Sequence, residues 1–521
     1  MDHQAIVIGG GHNGLVCAAY LARAGIDTLV VEARDSVGGC ASTVDAVGAR
    51  VNICNCDHIT FRSTPIADEL ALADHGLRYL GVDPAQWQQA YDGGPAWPVF
   101  TDVDRTLDAL ARTHPHEVDG YRAYARQAVP AARLVLDLAN EAPTPGSVLR
   151  RLAGLRGIGA ATVARWSRAS AAEVLQSFFR TDALLGPAFA SGPAVWGLPP
   201  SWPGTGLGAL ALALKHVAGV GRPAGGSGAL PVALLGAFEA AGGEVRTSAR
   251  VTTIECEGER VRGVRLADGT VLEAPTVVVA CDPRLAFVEW LRRPPAAAEG
   301  LVARWRDAPV HEGYESKIDA VVAAAPRYRA VDPALADTLG VDPTEATMVV
   351  APGLGAFERA HVLLGQGRVA ERPMLLVNLP SVRDPALVPP AGGHVFSLEV
   401  LYTPYSLEGG WASGGEPRRW LEVLASLVEP GFLDGLGAWR TMTPEAYEGE
   451  FFLPRGHATS FAGGPVAALT GRQRELTRYE TPVEGLFLTG AATFPGAGVW
   501  GAPGRNAARV VLRSLDRPLG R

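Results

Sequence analysis

The sequence predicts an α/β protein in which a parallel βαβ unit is interleaved with an α+β domain built on an antiparallel sheet with helices. Three observations predict it. A β-branched strand, a glycine turn and a compact helix open the chain at residues 5–24. A β-meander followed by the apolar strand Thr276 to Cys281 restores the same order in mid-chain. The last segment, "GLFLTGAATFPGAGVWGAPGRNAARVVLRSL", again runs strand, glycine-rich loop, helix. The intervening stretches follow other patterns. The nucleotide unit is therefore assembled from 1–75, 222–285 and 471–521, and a second domain with a helical lid from 76–221 and 286–470.

Ala5 to Ile8 is short, apolar and rich in β-branching, which marks a buried strand. Gly9, Gly11 and Gly14 follow in G-x-G-x-x-G spacing and lead into a helix over Leu15 to Ala24. The first glycine permits a tight turn, the second lets backbone approach a diphosphate, and the third brings helix close to strand. Unpaired N–H groups at the helix start then face the anion. The next strand, Thr28 to Val31, ends at Glu32, where a carboxylate accepts from a ribose 2′-hydroxyl and repels a 2′-phosphate. Strand, turn, helix, strand and acid in register predict a Rossmann-type dinucleotide site that disfavours NADP.

Downstream, "ARDSVGGCAST" is a loop with a second glycine pair. Residues 65–185 read as mostly helical, and "SGPAVWGLPPSWPGTGLG" at 191–208 as a loop or lid. A glycine turn and amphipathic helix then precede a strand at Glu244 to Arg246 and a meander turning at Glu257–Glu259 and Asp268–Gly269. Residues 285–470 alternate strands with helices, which suits an antiparallel sheet carrying a cavity.

Composition narrows the function classes. A net charge of −7 argues against a nucleic-acid partner. The six cysteines are too scattered for a disulfide scaffold, and Cys54 and Cys56 lack a partner pair for zinc, so no metal site is expected. The first strand begins at residue 5, so no cleaved targeting peptide is expected, and no apolar run is long enough to span a bilayer. The expected location is cytoplasmic, with peripheral membrane contact left open. Lys215 and Lys317 are the only lysines among 47 basic residues. In an arginine-biased chain, a retained lysine marks a place where arginine does not substitute.

Gly496, Gly498 and Gly501 repeat the glycine spacing, but the chain ends before a second strand could follow. One complete nucleotide unit with one C-terminal glycine-led helix suits FAD better than NAD, because that helix start would face the N1–C2=O edge that becomes negative on reduction. Together, "VIGGGHNGLVCAAYLARAG", "VVEARDSVGG", "GRPAGGSGALPVALLGAFEAAGGEVRTSARVTTI", "GVRLADGTVLEAPTVVVACDP" and the C-terminal segment resemble the glutathione-reductase-type FAD superfamily, and within it the phytoene desaturase-like (carotenoid desaturase) branch.

The resemblance implies FAD contacts beyond Gly9, Gly11, Gly14 and Glu32. Arg34 lies near adenine or phosphates, Gly38 and Gly39 form the second phosphate loop, and the Val251 backbone meets the adenine. Gly490, Gly498, Val499 and Trp500 approach the ribityl chain and ring. Two departures stand out: Cys40 replaces the arginine usual after the second glycine pair, which shifts its role to Ser42 or Thr43, and Ala491 replaces the aspartate common after Gly490. The branch also places "VNICNCDHITF", residues 51–61, against the flavin. His58, Asp57, Cys54 and Cys56 are thereby candidates for proton handling, or for a covalent flavin bond through Cys or His; packing plus a solvated His–Asp pair is the competing assignment. Related flavin amine oxidases use a lysine near the reactive nitrogen N5, which makes Lys317 the third catalytic candidate, against an ordinary solubilising lysine at a strand edge. Tyr314, Arg455 and His457 are weaker cavity candidates.

The expected activity is FAD-dependent dehydrogenation (desaturation) of a largely apolar small molecule, with hydride transfer from carbon to N5. An imine-forming amine oxidase, a flavin-dependent isomerase and a non-catalytic FAD-bound interaction protein are the alternatives. The electron acceptor, whether oxygen, quinone or carrier, and the oligomeric state are not legible in the sequence.

Overall fold

The computed structural model describes residues 2–54, 56–92, 94–144, 146, 158–413, 415–461 and 464–517. Five parallel strands form one sheet in the order Leu486–Leu488, Thr276–Val279, Ala5–Ile8, Thr28–Val31, Glu244–Arg246. Segments from both chain ends and the middle therefore meet in a single sheet. Its side chains alternate between two cores, as the two-residue strand period demands. Ala5, Val7, Val30 and Val278 face the helices His12–Arg23, Ala229–Ala240 and Ala502–Ser514. Ile6, Ile8, Leu29, Val277 and Val279 face the antiparallel meander Val251–Glu257, Arg260–Leu266, Val271–Glu273. Burial on both sides explains why these strands read as unbroken apolar runs.

A second sheet has seven strands in the order Leu436–Met442, Glu315–Val322, His394–Leu401, Leu375–Asn378, Thr347–Ala351, Gln86–Ala90, Trp97–Val99. One face carries Ile318, Leu398, Val377, Met348 and Trp87 into an apolar core closed by Trp420 and Leu421 of the helix Gly415–Ala425. Leu401, Leu376, Val349 and Ala351 on the opposite face meet a helical layer that includes Val118–Ala139, Asp182–Ser191 and Ala211–Ala218. The mixed α/β architecture agrees with the fold class predicted.

Two expectations need correction. The stretch 65–185 is not helical throughout: Tyr79–Val82, Gln86–Ala90 and Trp97–Val99 are strands. "QWQQA" hides its strand because every residue in it is buried, glutamines included, so no apolar/polar alternation is visible. Nor is the larger sheet wholly antiparallel, since Thr347–Ala351 pairs parallel to Gln86–Ala90. Among the described residues, no helix is long and apolar enough to cross a membrane.

Candidate active site and cofactor cradle

The first strand delivers Gly9 into a turn with φ +102°, where a Cβ would sit 2.9 Å from the Cys281 sulfur. A Cβ on Gly14 would lie 2.0 Å from the Gly9 carbonyl oxygen, so only glycine lets the helix approach its strand this closely. A Cβ on Gly11 would meet nothing within 4 Å, which leaves open space over the helix start. At that mouth the His12 Nε2 and Asn13 Oδ1 positions are buried without protein partners. Open backbone beside unspent polar groups fits a bound diphosphate.

Glu32 is buried, and its two carboxylate oxygens accept the Gly10 N–H at 2.7 Å and the Arg34 N–H at 2.9 Å. The carboxylate is thus fixed across the turn it was expected to serve, with lone pairs left for a ribose hydroxyl. The Gly38 N–H donates to the Gly10 carbonyl at 2.8 Å, which joins the second glycine loop to the first. Ser42 donates to the Gly39 carbonyl at 2.6 Å and lies 3.4 Å from an Arg34 guanidinium nitrogen, while that guanidinium stacks 4.3 Å from the Phe451 ring centre. Thr43 instead braces the hairpin through Asn52 and the Gly228 N–H. Ala249 donates to the Glu32 carbonyl at 2.8 Å, which brings Val251 to the same edge.

The C-terminal loop closes on this cradle. Gly490 turns with φ +101° beside Ala280, and the His12 ring bonds to the Gly498 backbone. Thr60 donates to the Val499 carbonyl at 2.7 Å, and Trp500 is buried against Leu136, Ala139 and Ala502. The helix that follows begins at Gly501, and its Arg505 is ion-paired with Glu69, which also binds Tyr20 of the leading helix. We expect Glu32→Gln to weaken FAD binding about tenfold to a hundredfold. One backbone donor would lose its acceptor and meet an amide N–H instead. Release of FAD fluorescence on dilution of the holoprotein measures this.

The proposed proton-handling residues lie along the larger sheet. The odd-numbered residues of Glu315–Val322 lie on the face opposite Ile318 and Ala320, where Val321 and Lys317 meet the strand Ala49–Asn52, and the strand register extends them into rows. One row runs Met442, Lys317, Glu399, Leu376, Val349, Gln88; its neighbour runs Arg440, Asp319, Ser397, Asn378, Thr347, Gln86. Across them lies the 51–61 segment: Cys56 contacts Asn378, and Asp57 accepts from Thr347 at 2.6 Å and from Arg222 at 2.6 Å. Burial pushes the Asp57 carboxyl up, but the Arg222 guanidinium and the Thr347 hydroxyl more than offset it, so Asp57 titrates below its ordinary range.

His58 points elsewhere. Its two ring nitrogens meet the Tyr79 hydroxyl and the Ser227 hydroxyl, each at 3.0 Å, and its backbone pairs with Gly221. Burial, reinforced by the charge of His12, lowers its pKa to about 3, so it is a neutral link between the segment and the strand Val220–Pro223. Burial also pushes the Cys56 thiol up to about 12; the hydrogen bond to Cys40, with partial burial, raises Cys54 well above the ordinary thiol range. Both thiols stay protonated at neutral pH.

Lys317 is buried, donates to the Asn52 carbonyl at 2.5 Å, and is ion-paired with Asp319, whose other oxygen lies 3.2 Å from Arg440. Directly opposite stands Glu399, a residue that sequence reasoning did not single out. Burial raises its pKa to about 7 against the pull of Lys317. Glu315 is raised well above the carboxylate range by burial and then by Glu399. Only the strand register reveals this pair, because the two acids are far apart in sequence.

Tyr314 leads from this strand to a cavity of about 480 Å³ whose walls include Trp196, Trp202, Tyr405, His361 and His457. A Cβ on Gly498 would lie 3.6 Å from Trp196, so the cavity adjoins the C-terminal glycine loop. Trp202, 45% exposed, stands against His361 at its mouth. Burial lowers the His457 pKa to about 4, with His311 adding to the effect. Arg455, ion-paired with Glu312, stacks over Tyr405 at the rim.

Residues 14–306 match the family model described as flavin containing amine oxidoreductase. The chain belongs to that family. This flavin amine oxidoreductase is 30% identical to pyridine nucleotide-disulfide oxidoreductase domain-containing protein 2 of Mus musculus, over 99% of this chain and 94% of that one. It is 26% identical to a lycopene-forming phytoene desaturase of Paracoccus sp., over 98% and 97% of the two chains. Among solved structures, putrescine oxidase bound to putrescine shares the fold with a TM-score of 0.62 at 16% identity, covering 99% and 98%. The protein is an FAD-dependent oxidoreductase, and the cradle built from both chain ends fits that cofactor.

Proposed function

We propose that the protein dehydrogenates a largely apolar small molecule, creating a C=C bond. The observation that carries this reading is the aromatic-walled cavity bounded by Trp196, Trp202 and Tyr314 beside the C-terminal glycine loop. Bound FAD supplies the acceptor for the hydride that leaves the substrate carbon. The chain's own residues do the rest. Aromatic walls exclude water and orient the substrate, and the neutral His457 adds no charge to them. Lys317, which donates to the Asn52 carbonyl, stands opposite Glu399, and Glu399 with its pKa of about 7 is the group there suited to hold or pass a proton. His58, with both ring nitrogens engaged, organises that segment rather than handling protons.

Imine formation from an amine is the second reading, favoured by the fold shared with putrescine oxidase. The surroundings of Lys317 weigh against it. They are Asn52, Asp319 and Glu399 rather than aromatic rings. Anaerobic mixing of the holoprotein with polyenes, cyclic terpenoid precursors and amines, followed by flavin bleaching, tests the choice. Bleaching by hydrocarbons or terpenoids with a new double bond in the product is expected. Bleaching by amines alone would replace this reading with the second.

A further inference from the structure

The cavity beside the C-terminal glycine loop is walled by aromatic rings, and one of its walls carries an imidazole that the fold leaves without a partner. The helix Leu354–Gly365 turns Phe357 and Ala360 into the helical core and brings His361, Leu364 and Gly365 to the cavity. Spacings of three and four residues put those last three on one helical face. His361 is held there from two sides. Its ring meets Trp202 edge-on at 4.9 Å and Tyr402 at 6.1 Å between centroids. Tyr402 is buried with φ +58°, a left-handed conformation unusual for a tyrosine, and Arg455 at the rim has φ +50°. The Tyr402 N–H donates to the Tyr314 carbonyl at 2.6 Å and its hydroxyl to the Leu198 carbonyl at 2.7 Å, so two further lining residues fix the strained position. Strain that its surroundings hold in place in this way collects at ligand clamps.

The hydrogen-bonding capacity of this ring is unspent. Nδ1 is buried without a partner, and among the described residues no hydrogen bond engages either ring nitrogen, which leaves Nε2 as the accessible one. Several neighbours are already engaged. Glu358 of the same helix accepts from Ser201 at 2.5 Å, Tyr405 donates to Glu448, and Ser460 accepts the Ala497 N–H at 3.0 Å. Glu312 is paired with Arg455 at 2.8 Å. Burial lowers the His361 pKa against the partial pull of Glu358, as it lowers that of His457, so both rings are neutral at neutral pH. His457, tilted against His311 and edge-on to Tyr314, is the other imidazole that competes for a ligand here, but it lacks the clamp of two aromatic rings and the sealed nitrogen. Neutral imidazole beside matched charge favours an uncharged polar group over an ion.

We infer that His361 anchors one uncharged oxygen, a hydroxyl or a carbonyl, on an otherwise apolar substrate, and so selects oxygenated molecules over plain hydrocarbons. This rests on the reading that the aromatic-walled cavity holds the substrate. With Nδ1 unpartnered the tautomer is free, so Nε2 can donate to a carbonyl or accept from a hydroxyl. One directional bond then sets which carbon of a featureless skeleton is presented for oxidation. Binding tests the anchor without turnover. Oxidised holoprotein is titrated with n-butylbenzene, 4-phenylbutanol, 4-phenylbutan-2-one, 4-phenylbutanoate and 4-phenylbutylamine, read by the bound-flavin spectrum and by the thermal midpoint. The alcohol and ketone are expected to bind about tenfold more tightly than the hydrocarbon, and the acid and amine less tightly than the alcohol. His361→Phe keeps a ring between Trp202 and Tyr402; it should bring the alcohol and ketone down to the affinity of the hydrocarbon and leave the hydrocarbon unchanged. His361→Gln, whose amide reaches toward the Nε2 position, should retain a preference, and it serves as the test should the first variant lose flavin. His457→Phe should retain the preference in full. Equal binding of hydrocarbon and alcohol, tightest binding of the acid or amine, a preference that survives His361→Phe, or one lost in His457→Phe alone would each overturn the assignment. Anaerobic mixing with oxygenated and plain terpenoids separates it from the dehydrogenase reading. Selective, His361-dependent binding of oxygenated terpenoids without flavin bleaching leaves the anchor standing and sinks dehydrogenation, whereas bleaching by both kinds with equal affinity sinks the anchor alone.

Discussion

Lys317→Met is expected to destabilise the folded protein by about 3–5 kcal/mol, the cost of removing one partner from a buried charge pair. The substitution keeps the side-chain length but leaves Asp319 with Arg440 alone and the Asn52 carbonyl without its donor. It also leaves Glu399 facing an apolar neighbour across the strand pair. Urea unfolding of the holoprotein measures the loss, and the double variant Lys317→Met/Asp319→Asn should recover part of it, because the uncompensated carboxylate is gone. A loss below about 1 kcal/mol would mean that the lysine is effectively solvated and the network weak.

Glu399 supplies the pH dependence of the same network. Its folded pKa, about 7, lies above the ordinary carboxylate value, so the folded state holds its proton more tightly than the unfolded chain does. Its contribution is fully present below the unfolded value and is lost as pH rises through about 7. Glu399→Gln should therefore leave stability near pH 5 almost unchanged and make the variant the more stable one above pH 7, narrowing the decline between those limits. Thermal midpoints of the two proteins across that range give the comparison.

The cofactor cradle was legible in the sequence because its requirements are local. Gly14 and Glu32 are dictated by contacts within one βαβ unit and Gly9 by the positive φ of the same turn, and the spacing of a few residues encodes them. Gly496, Gly498 and Gly501 were legible for the same reason, their spacing being local. The buried charge network of the larger sheet was less legible, since it is built by register between distant strands. Lys317 was singled out for its rarity, but Glu399 lies 82 residues further on and acquires meaning only when His394–Leu401 pairs with Glu315–Val322. The polar strand Gln86–Ala90 was missed for a related reason: its glutamines are buried by tertiary packing, Gln86 against the Ser191 hydroxyl, which no local pattern shows. His58 drew notice by position, and only its two hydroxyl partners show that its nitrogens are engaged elsewhere.

The union of the two chain ends carries the second large effect. Gly504 lies in the first turn of the C-terminal helix, where a Cβ would stand 2.2 Å from the Asn13 carbonyl oxygen and 3.1 Å from the Cys17 nitrogen. Both are backbone atoms of the leading helix, so no side-chain rotation relieves the collision and the helices must separate. Overpacking of this kind costs about 2–3 kcal/mol or more. The displacement would carry Gly498 and Trp500 away from His12 and the cradle, although Gly504 itself belongs to neither glycine motif. Gly504→Ala is therefore expected to lower FAD affinity by roughly thirty- to a hundredfold and to yield largely colourless protein that regains flavin only at high FAD concentration. Gly300→Ala is the matched control: it is also helical, and its Cβ would meet nothing within 4 Å. A fully yellow Gly504→Ala protein with wild-type affinity would mean that the helices are not in this contact, and that the C-terminal loop reaches the cofactor without being pinned to the phosphate-binding helix.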